Sequence, residues 1–195
     1  MSSLEQAVER IGDANAVLVL RPRTAAAADG RCKRLLLNGR DEVDVLGVDF
    51  STPPSGWYDE WAEVVDGGPA NAALITTPDL ADADDPAEAL SVETVASPSN
   101  LTGVGVKFTP YLNEWNDPVV TVESLTVLLQ YADPQIVYRF LHVLTSRLRA
   151  ADACGQFFFD STAQDDQTVE LLKTLFDAVL EYEGDDEWTV SCRAG

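Results

Sequence analysis

Positive charge is scarce in this sequence of 195 residues. Lysine and arginine together number 13, against 33 aspartates and glutamates, which gives a formal net charge of −20 at pH 7. The phosphates of nucleic acids and the headgroups of anionic membranes would repel such a chain, so both are disfavoured as partners. The hydrophobic content of 46% is that of a folded domain, which argues against intrinsic disorder.

Cysteine, histidine and long apolar runs are also scarce. The three cysteines, at positions 32, 154 and 192, form no Cys-x-x-Cys or Cys/His spacing, and His142 is the single histidine. We therefore expect free thiols in a reducing compartment and no metal site. Residues 1–13 lack the apolar stretch of a secretory signal, and no run reaches the length of a membrane span, so a cytoplasmic location is expected.

Lysine is rarer than arginine, because Lys33, Lys107 and Lys173 are the only three. An excess of acid with few lysines resembles the proteins of salt-loving archaea, the haloarchaea. At molar salt the Debye length falls to about 3 Å, so repulsion between surface carboxylates is tolerated. We therefore predict that the fold weakens when salt is removed.

The distribution of apolar residues predicts an N-terminal helix over residues 1–13 and one α/β domain over 14–195. Apolar runs that predict strands alternate with segments that have helical spacing. This alternation predicts a mostly parallel central sheet with helices on both faces, in three layers, and an antiparallel C-terminal hairpin at the edge. The predicted strands are 16–20, 45–50, 72–77, 91–95, 118–123 and 155–159, the helices 32–37, 57–65, 101–115, 124–131, 134–150 and 165–176, and the hairpin strands 178–182 and 188–191.

Two short motifs stand in a fixed order late in the chain. The strand that begins at Val119 ends in Glu123-Ser124-Leu125, and after a helix, a strand and an acidic helix the chain reads Asp177-Ala178-Val179. This order, over residues 14–193, resembles the core of RecA/KaiC-like ATPases, in which a strand ends in Asp-Ser-Leu and its Asp assists Mg²⁺. The resemblance implies the three-layer RecA-like fold, and association into homo- or hetero-oligomers.

The segment after the first strand departs from that family. In RecA/KaiC-like ATPases a Gly-rich loop ending in Gly-Lys-Ser/Thr cradles the phosphates at this place. Residues 21–34 here hold one glycine, Gly30, four consecutive alanines and no Gly-Lys-Ser/Thr. Alanines resist the positive φ of a tight anion nest. We therefore expect a degenerate member that does not hydrolyse ATP, with no catalytic residue, no metal ligand and no cofactor.

The same segment carries the single basic cluster of the chain: Arg21, Arg23, Arg31, Lys33 and Arg34. One interpretation is an anion site for a nucleotide, a phosphorylated partner or an acidic protein. The other is neutralisation of nearby carboxylates such as those of residues 41, 42 and 44.

Three further positions carry alternatives. Glu123 and Ser124 could hold Mg²⁺ or another ligand at the carboxyl edge of the sheet, or Glu123 could simply cap the next helix. Asp49, after the second strand, could act as a general base, but a solvated turn residue is the favoured interpretation. His142 lies off the apolar stripe of its helix and is expected at the surface. All four tryptophans are expected to pack in the core.

Two functional hypotheses follow from these patterns. The first is a non-hydrolysing RecA/KaiC-like binding or regulatory module that acts through protein–protein interaction, with a second copy, a related ATPase or a signalling protein as partner. The second is an atypical nucleotide-binding ATPase in which the basic cluster replaces the phosphate loop. DNA binding, by analogy with recombinases, is disfavoured by the charge, and no membrane partner is expected.

Overall fold

A computed structural model describes residues 1–193; residues 194 and 195, the end of the predicted α/β domain, lie outside the described residues. The strands are β1 (Ala16–Leu20), β2 (Asp44–Val48), β3 (Asn71–Thr76), β4 (Leu90–Thr94), β5 (Val119–Val122), β6 (Cys154–Phe159), β7 (Ala178–Gly184) and β8 (Glu187–Cys192). The α-helices are α1 (Ser3–Ile11), α2 (Asp29–Leu36), α3 (Pro54–Val64), α4 (Pro78–Ala81), α5 (Leu101–Glu114), α6 (Leu125–Tyr131), α7 (Pro134–Ala151) and α8 (Asp166–Lys173).

All eight strands form one sheet in the order β4-β3-β2-β5-β6-β1-β7-β8. Every neighbouring pair is parallel except β7 and β8, which form an antiparallel hairpin at the edge. Apolar side chains of α5, α6, α7 and α8 pack on one face of the sheet, and those of α1, α2 and α3 pack on the other. The predicted three-layer α/β fold with an antiparallel edge hairpin is confirmed.

The N-terminal helix is attached to the edge strand β8. The Ser3 hydroxyl accepts a hydrogen bond from the Trp188 amide at 2.8 Å and donates to the Trp188 carbonyl at 3.0 Å. Leu4, Ala7 and Ile11 bury their side chains in the same cluster as strands β1 and β7. Helix α1 therefore contributes to the core on one face of the sheet.

The central strands are buried on both faces, which explains their continuous apolar runs. All five residues of β1 and all four of β5 are buried. Because these strands are parallel and nearly in register, β1, β2, β5 and β6 end at one edge of the sheet, with Val48 opposite Val122 and Leu20 opposite Phe159. The residues that follow them, including Asp49 and Glu123, therefore meet at this edge.

Three local predictions differ from the structure. Residues Arg23–Ala28 form a 3₁₀ helix that continues into α2, because a run of alanines favours helical backbone. The last helix ends at Lys173 rather than 176, because Phe176 turns into the core and packs edge-on against Phe157 with ring centroids 5.0 Å apart. No element is predicted over Pro78–Ala81, where Pro78 opens the short helix α4.

Among residues 1–193, no helix combines the length and the apolar character needed to cross a bilayer.

Candidate functional site

The buried ammonium group of Lys33 lies at the centre of the candidate site. Helix α2 carries this side chain beneath the carboxyl edge of the sheet, where it is 1% exposed. Its Nζ lies 2.7 Å from Oε2 of Glu123 and 2.8 Å from Oε1 of Glu60. One cation thus joins α2 to the end of β5 and to α3.

The second carboxylate oxygen of Glu123 is also occupied. Its Oε1 accepts hydrogen bonds from the Trp57 indole at 3.0 Å, the Thr121 hydroxyl at 3.0 Å and, at the long limit of 3.5 Å, the Trp61 indole. Trp57 reaches this position because Gly47 of β2 has no Cβ where the indole ring lies. Both oxygens of Glu123 are therefore engaged within the chain.

Aromatic rings enclose the Lys33 ammonium. Its Nζ lies 5.3 Å from the ring centroids of Trp61 and Phe158, a distance at which cation–π attraction is significant. Burial acts to lower the pKa of Lys33, but the charges of Glu123 and Glu60 and their hydrogen bonds outweigh burial, so its pKa lies above the usual value. Lys33 is therefore a permanent cation at physiological pH.

Asp49 lies at the same edge and is buried, with 4% exposure. The prediction that it is a solvated turn residue is wrong, because the following turn folds back over the carboxylate. Its Oδ1 accepts hydrogen bonds from the backbone N–H groups of Ser51 at 2.7 Å and Thr52 at 3.3 Å. Burial and the negative charge of Glu123 raise the pKa of Asp49 to about 6 despite these hydrogen bonds.

Ser124 and Glu123 have separate roles in the structure. The Ser124 hydroxyl caps α6 by accepting from the Val127 N–H at 3.2 Å. The interpretation of Glu123 as the helix cap is therefore wrong, because its side chain contacts Lys33 and the two indoles instead.

The members of the predicted basic cluster have different partners. Arg21 pairs with Asp29, with Nε 2.8 Å from Oδ1, and Arg31 contacts Asp186 at 3.4 Å and the Ser2 hydroxyl at 3.0 Å. Arg34 donates to the carbonyls of Glu63 and Val64, while Arg23 is exposed. The three neighbouring carboxylates predicted to neutralise the cluster, residues 41, 42 and 44, are not these partners.

The backbone after β1 is helical where a phosphate loop would lie in a RecA-like ATPase. The Ala25 N–H donates to the Pro22 carbonyl at 2.9 Å, and the Asp29 N–H donates to the Ala26 carbonyl. These amides are used in the helical turns of the chain itself. They do not form a concave ring of free donors.

The remaining candidates lie elsewhere. His142 is exposed on α7, as predicted. Trp57, Trp61 and Trp188 are buried as predicted, and Trp115 is half-buried. Within the described residues, no group of three or more His, Cys, Asp and Glu side chains has the geometry to hold a metal ion.

Sequence reasoning placed Lys33 and Glu123 in the site but did not pair them. It also missed the contributions of Glu60, Trp57 and Thr121 to the polar network. The available signal was the helical spacing of Trp57, Glu60 and Trp61, which places all three side chains on one side of α3. From the sequence, the two tryptophans are expected only to pack in the core.

In the comparison with protein families, residues 14–182 match a family of unknown function (DUF7504). The chain belongs to the DUF7504 family. Among proteins with curated descriptions, no match to the chain was found.

Solved structures resemble this DUF7504 protein in fold. A Pyrococcus horikoshii OT3 protein, PH0250, superposes with a TM-score of 0.64 at 12% identity, over 100% of this chain and 94% of the other. The flagellar accessory protein FlaH from Methanocaldococcus jannaschii superposes with a TM-score of 0.55 at 11% identity, over 92% and 79%. At these identities the likeness shows the fold alone, which is the RecA-like α/β arrangement.

Proposed function

We propose that this DUF7504 protein is a RecA/KaiC-like module that does not hydrolyse ATP and acts by binding another protein. The observation that carries the proposal is the closed ion pair between Lys33 and Glu123. In a RecA-like ATPase, this edge of the sheet offers a free lysine to phosphate and a free carboxylate to the Mg²⁺ site. Here the lysine of the phosphate loop is missing, and the carboxylate of Glu123 is neutralised by Lys33 from within α2.

The energetics support this proposal. Phosphoryl transfer depends on preorganised charges that contact the phosphates and the metal ion. Moving Lys33 toward a phosphate would leave Glu123 buried without its cation, which costs about 3–5 kcal/mol for a pair of this kind. The helical backbone over Arg23–Ala28 offers no compensating set of free N–H groups.

ATP turnover tests the proposal directly. We expect purified protein, in the salt concentration that keeps it folded, to release no Mg²⁺-dependent phosphate from ATP, and we expect the Glu123→Ala variant to behave in the same way. Turnover that is present in the wild type and lost in Glu123→Ala would overturn the proposal. Turnover of equal size in both proteins would identify a contaminating ATPase.

The alternative is an atypical nucleotide-binding ATPase that uses the basic cluster. The observation that favours it is the exposure of Arg23 and Arg31 near the end of β1, where each side chain is accessible to an anion. Equilibrium binding of ATP–Mg²⁺ that is lost in the Arg23→Ala/Arg31→Ala double variant would support this alternative. Binding by neither protein would favour the non-hydrolysing module.

The partner in the proposal is a protein: a second copy, a related ATPase or a signalling protein. A cytoplasmic location and adaptation to high salt are part of the same proposal. The three free thiols and the charge of −20 support them.

A further inference from the structure

Helices α5 and α7 form a face that is almost free of acidic residues. The 18 residues of α7 include three arginines and no aspartate or glutamate. At the average acid content of this chain, a segment of that length would carry about three acidic side chains. The neighbouring α5 contains one, Glu114. This face therefore lacks the negative charge that is spread over the rest of the sequence.

An apolar groove of about 430 Å³ lies between these two helices. Three of its lining side chains are large, hydrophobic and exposed: Val106 is 66% exposed, Ile136 47% and Val143 52%. In a soluble chain, exposed apolar groups that form one contiguous patch commonly mark an interaction site. No described residue of this chain covers them.

Two arginines border the apolar groove. Arg139 and Arg147 both line it, and they lie eight residues apart, about two turns along α7. The Arg147 guanidinium reaches across to α5, where Nη1 donates to the Thr109 hydroxyl at 2.7 Å. Among residues 1–193 neither arginine has an ion-pair partner, whereas Arg21, Lys33 and Arg149 are all paired with carboxylates.

The surface thus combines an apolar centre with two unneutralised cations at helical spacing. We propose that the α5–α7 groove is the docking site for an acidic amphipathic helix of a partner protein. An amphipathic helix presents apolar anchors at i, i+3, i+4 and i+7 to such a groove. Glutamates about two turns apart on its flanks would meet Arg139 and Arg147.

Charge explains why the partner is not a symmetric second copy. In a two-fold contact through this face, each surface meets itself, so arginines of one copy would lie near those of the other. The groove instead complements a helix of opposite charge. The inference rests on the proposed function only in that a binding module needs a partner surface, and this surface is remote from the Lys33 site.

The groove can be blocked without disturbing the core. Gly105 of α5 lines it, and a Cβ added at this position meets no atom within 4 Å. Gly105→Trp therefore fills the groove from a helical position that tolerates a side chain. Arg139→Glu/Arg147→Glu reverses the charge of its borders. Arg10→Glu, at an exposed arginine of α1 on the opposite face of the sheet, is the matched control.

The probe is a fluorescein-labelled synthetic helix as long as α7, with a leucine stripe flanked by glutamates. In the comparison peptide, lysine replaces every glutamate. Binding is measured by fluorescence anisotropy in the salt concentration at which circular dichroism shows all variants folded. We expect saturable binding of the glutamate peptide to the wild type and to Arg10→Glu. We expect affinity at least about tenfold lower for Gly105→Trp, for the double arginine variant, and for the lysine peptide on the wild type.

Several results would overturn the inference. These are no saturable binding, equal binding of both peptides, or binding that the groove variants leave unchanged. If the wild type binds no peptide but binds phosphatidylglycerol vesicles, and Gly105→Trp abolishes the vesicle binding, the groove is a membrane-binding surface. If the wild type binds no peptide but sediments as a dimer, and Gly105→Trp sediments as a monomer, the occupant of the groove is a second copy of this chain. None of these results depends on ATP turnover, so failure of the docking site and failure of the proposed function are distinguishable.

Discussion

The Nζ of Lys33 lies 2.7 Å from Oε2 of Glu123, and the two side chains are 1% and 11% exposed. A pair this well shielded from water connects a helix on one face of the sheet to the end of a central strand. In a chain with a net charge of −20, Lys33 supplies the buried cation that Glu123 contacts, while the negative charge of Glu123 still helps to raise the pKa of buried Asp49.

Removal of the lysine charge should therefore be costly. Lys33→Met keeps the length and apolar stem of the side chain but leaves Glu123 buried without a cation. We expect the free energy of unfolding to fall by about 3–5 kcal/mol, measured by denaturant titration. Unchanged stability would show that water or a dissolved cation compensates the carboxylates.

Two further variants separate the ion pair from general damage. Glu60→Gln removes the charge of the second partner of Lys33. Because the Glu60 side chain is 42% exposed, we expect the free energy of unfolding to fall by only about 0–1 kcal/mol. In the Lys33→Met/Glu123→Gln double variant, the total loss should be smaller than the sum of the single losses by about 2 kcal/mol. Additive losses would contradict a direct interaction between the two groups.

Asp49 should make stability depend on pH. Its pKa is raised in the folded protein from an ordinary 3.8 to about 6, so the folded state binds the proton more tightly than the unfolded chain does. This contribution favours folding below about pH 4 and is lost as pH rises through about 6, a change of up to about 3 kcal/mol. Asp49→Asn removes the titration and keeps an oxygen acceptor for the Ser51 N–H.

The measurement compares unfolding of wild type and Asp49→Asn at several pH values between 4 and 8. We expect the variant to be the more stable protein at pH 8, with the difference shrinking toward pH 4. Carboxylates that do not interact with Asp49 titrate in both proteins, so their effects cancel in the difference. A difference that does not vary with pH would contradict a raised pKa for Asp49.

The fold could be predicted from sequence because its signals are local. The run Ala16–Leu20 is both the predicted and the observed β1, since five consecutive apolar residues between polar flanks favour a strand buried on both faces. The apolar stripe of α7 and the hairpin of β7 and β8 are equally local patterns. The 3₁₀ helix over Arg23–Ala28 is not predictable from apolar spacing, because none of its residues is buried and it carries no apolar stripe.

The candidate site was only partly predictable, because its contacts join distant parts of the chain. Lys33 and Glu123 are 90 residues apart, and their meeting depends on the strand order that places β5 between β2 and β6. No pattern around Asp49 indicates that the next turn folds back and buries it. Sequence spacing can place a residue at the edge of a sheet, but it does not give the direction of its side chain.

Alanine substitutions at two glycines compare a crowded position with an open one: Gly47 lies against Trp57 beneath the site, and Gly105 lies in α5, remote from it. Alanine at Gly47 would place a Cβ in steric clash with the ring atoms of Trp57, whose indole donates to Glu123, so we expect a loss of about 1–3 kcal/mol. Alanine at Gly105 meets open space in a helix, so we expect a gain of up to about 1 kcal/mol. Both are measured by thermal unfolding, and the opposite order would show that the Trp57 ring is free to move.

The three thiols should react at different rates. Cys192 is exposed, whereas burial raises the pKa of Cys154 and raises that of Cys32 to about 12. Because the thiolate is the reactive form, we expect one fast equivalent with a disulfide reagent at pH 8, a slower second, and a third only on unfolding. The Cys192→Ser variant should lose the fast equivalent, and its persistence would contradict this assignment.

Salt should stabilise the fold beyond its effect on any single pair. With 33 acidic residues and 13 basic ones, most carboxylates face solvent without a cation, and their mutual repulsion is greatest in dilute buffer. Molar KCl shortens the Debye length to about 3 Å and screens that repulsion, while the Lys33–Glu123 pair is shielded by burial and little affected.

We therefore expect the melting temperature to rise strongly between dilute buffer and molar KCl in the wild type. We expect a rise of similar size in Lys33→Met, because the carboxylates that salt screens are on the surface. A melting temperature that does not change with KCl would contradict adaptation to salt, and a rise abolished by Lys33→Met would locate the effect at the buried pair instead.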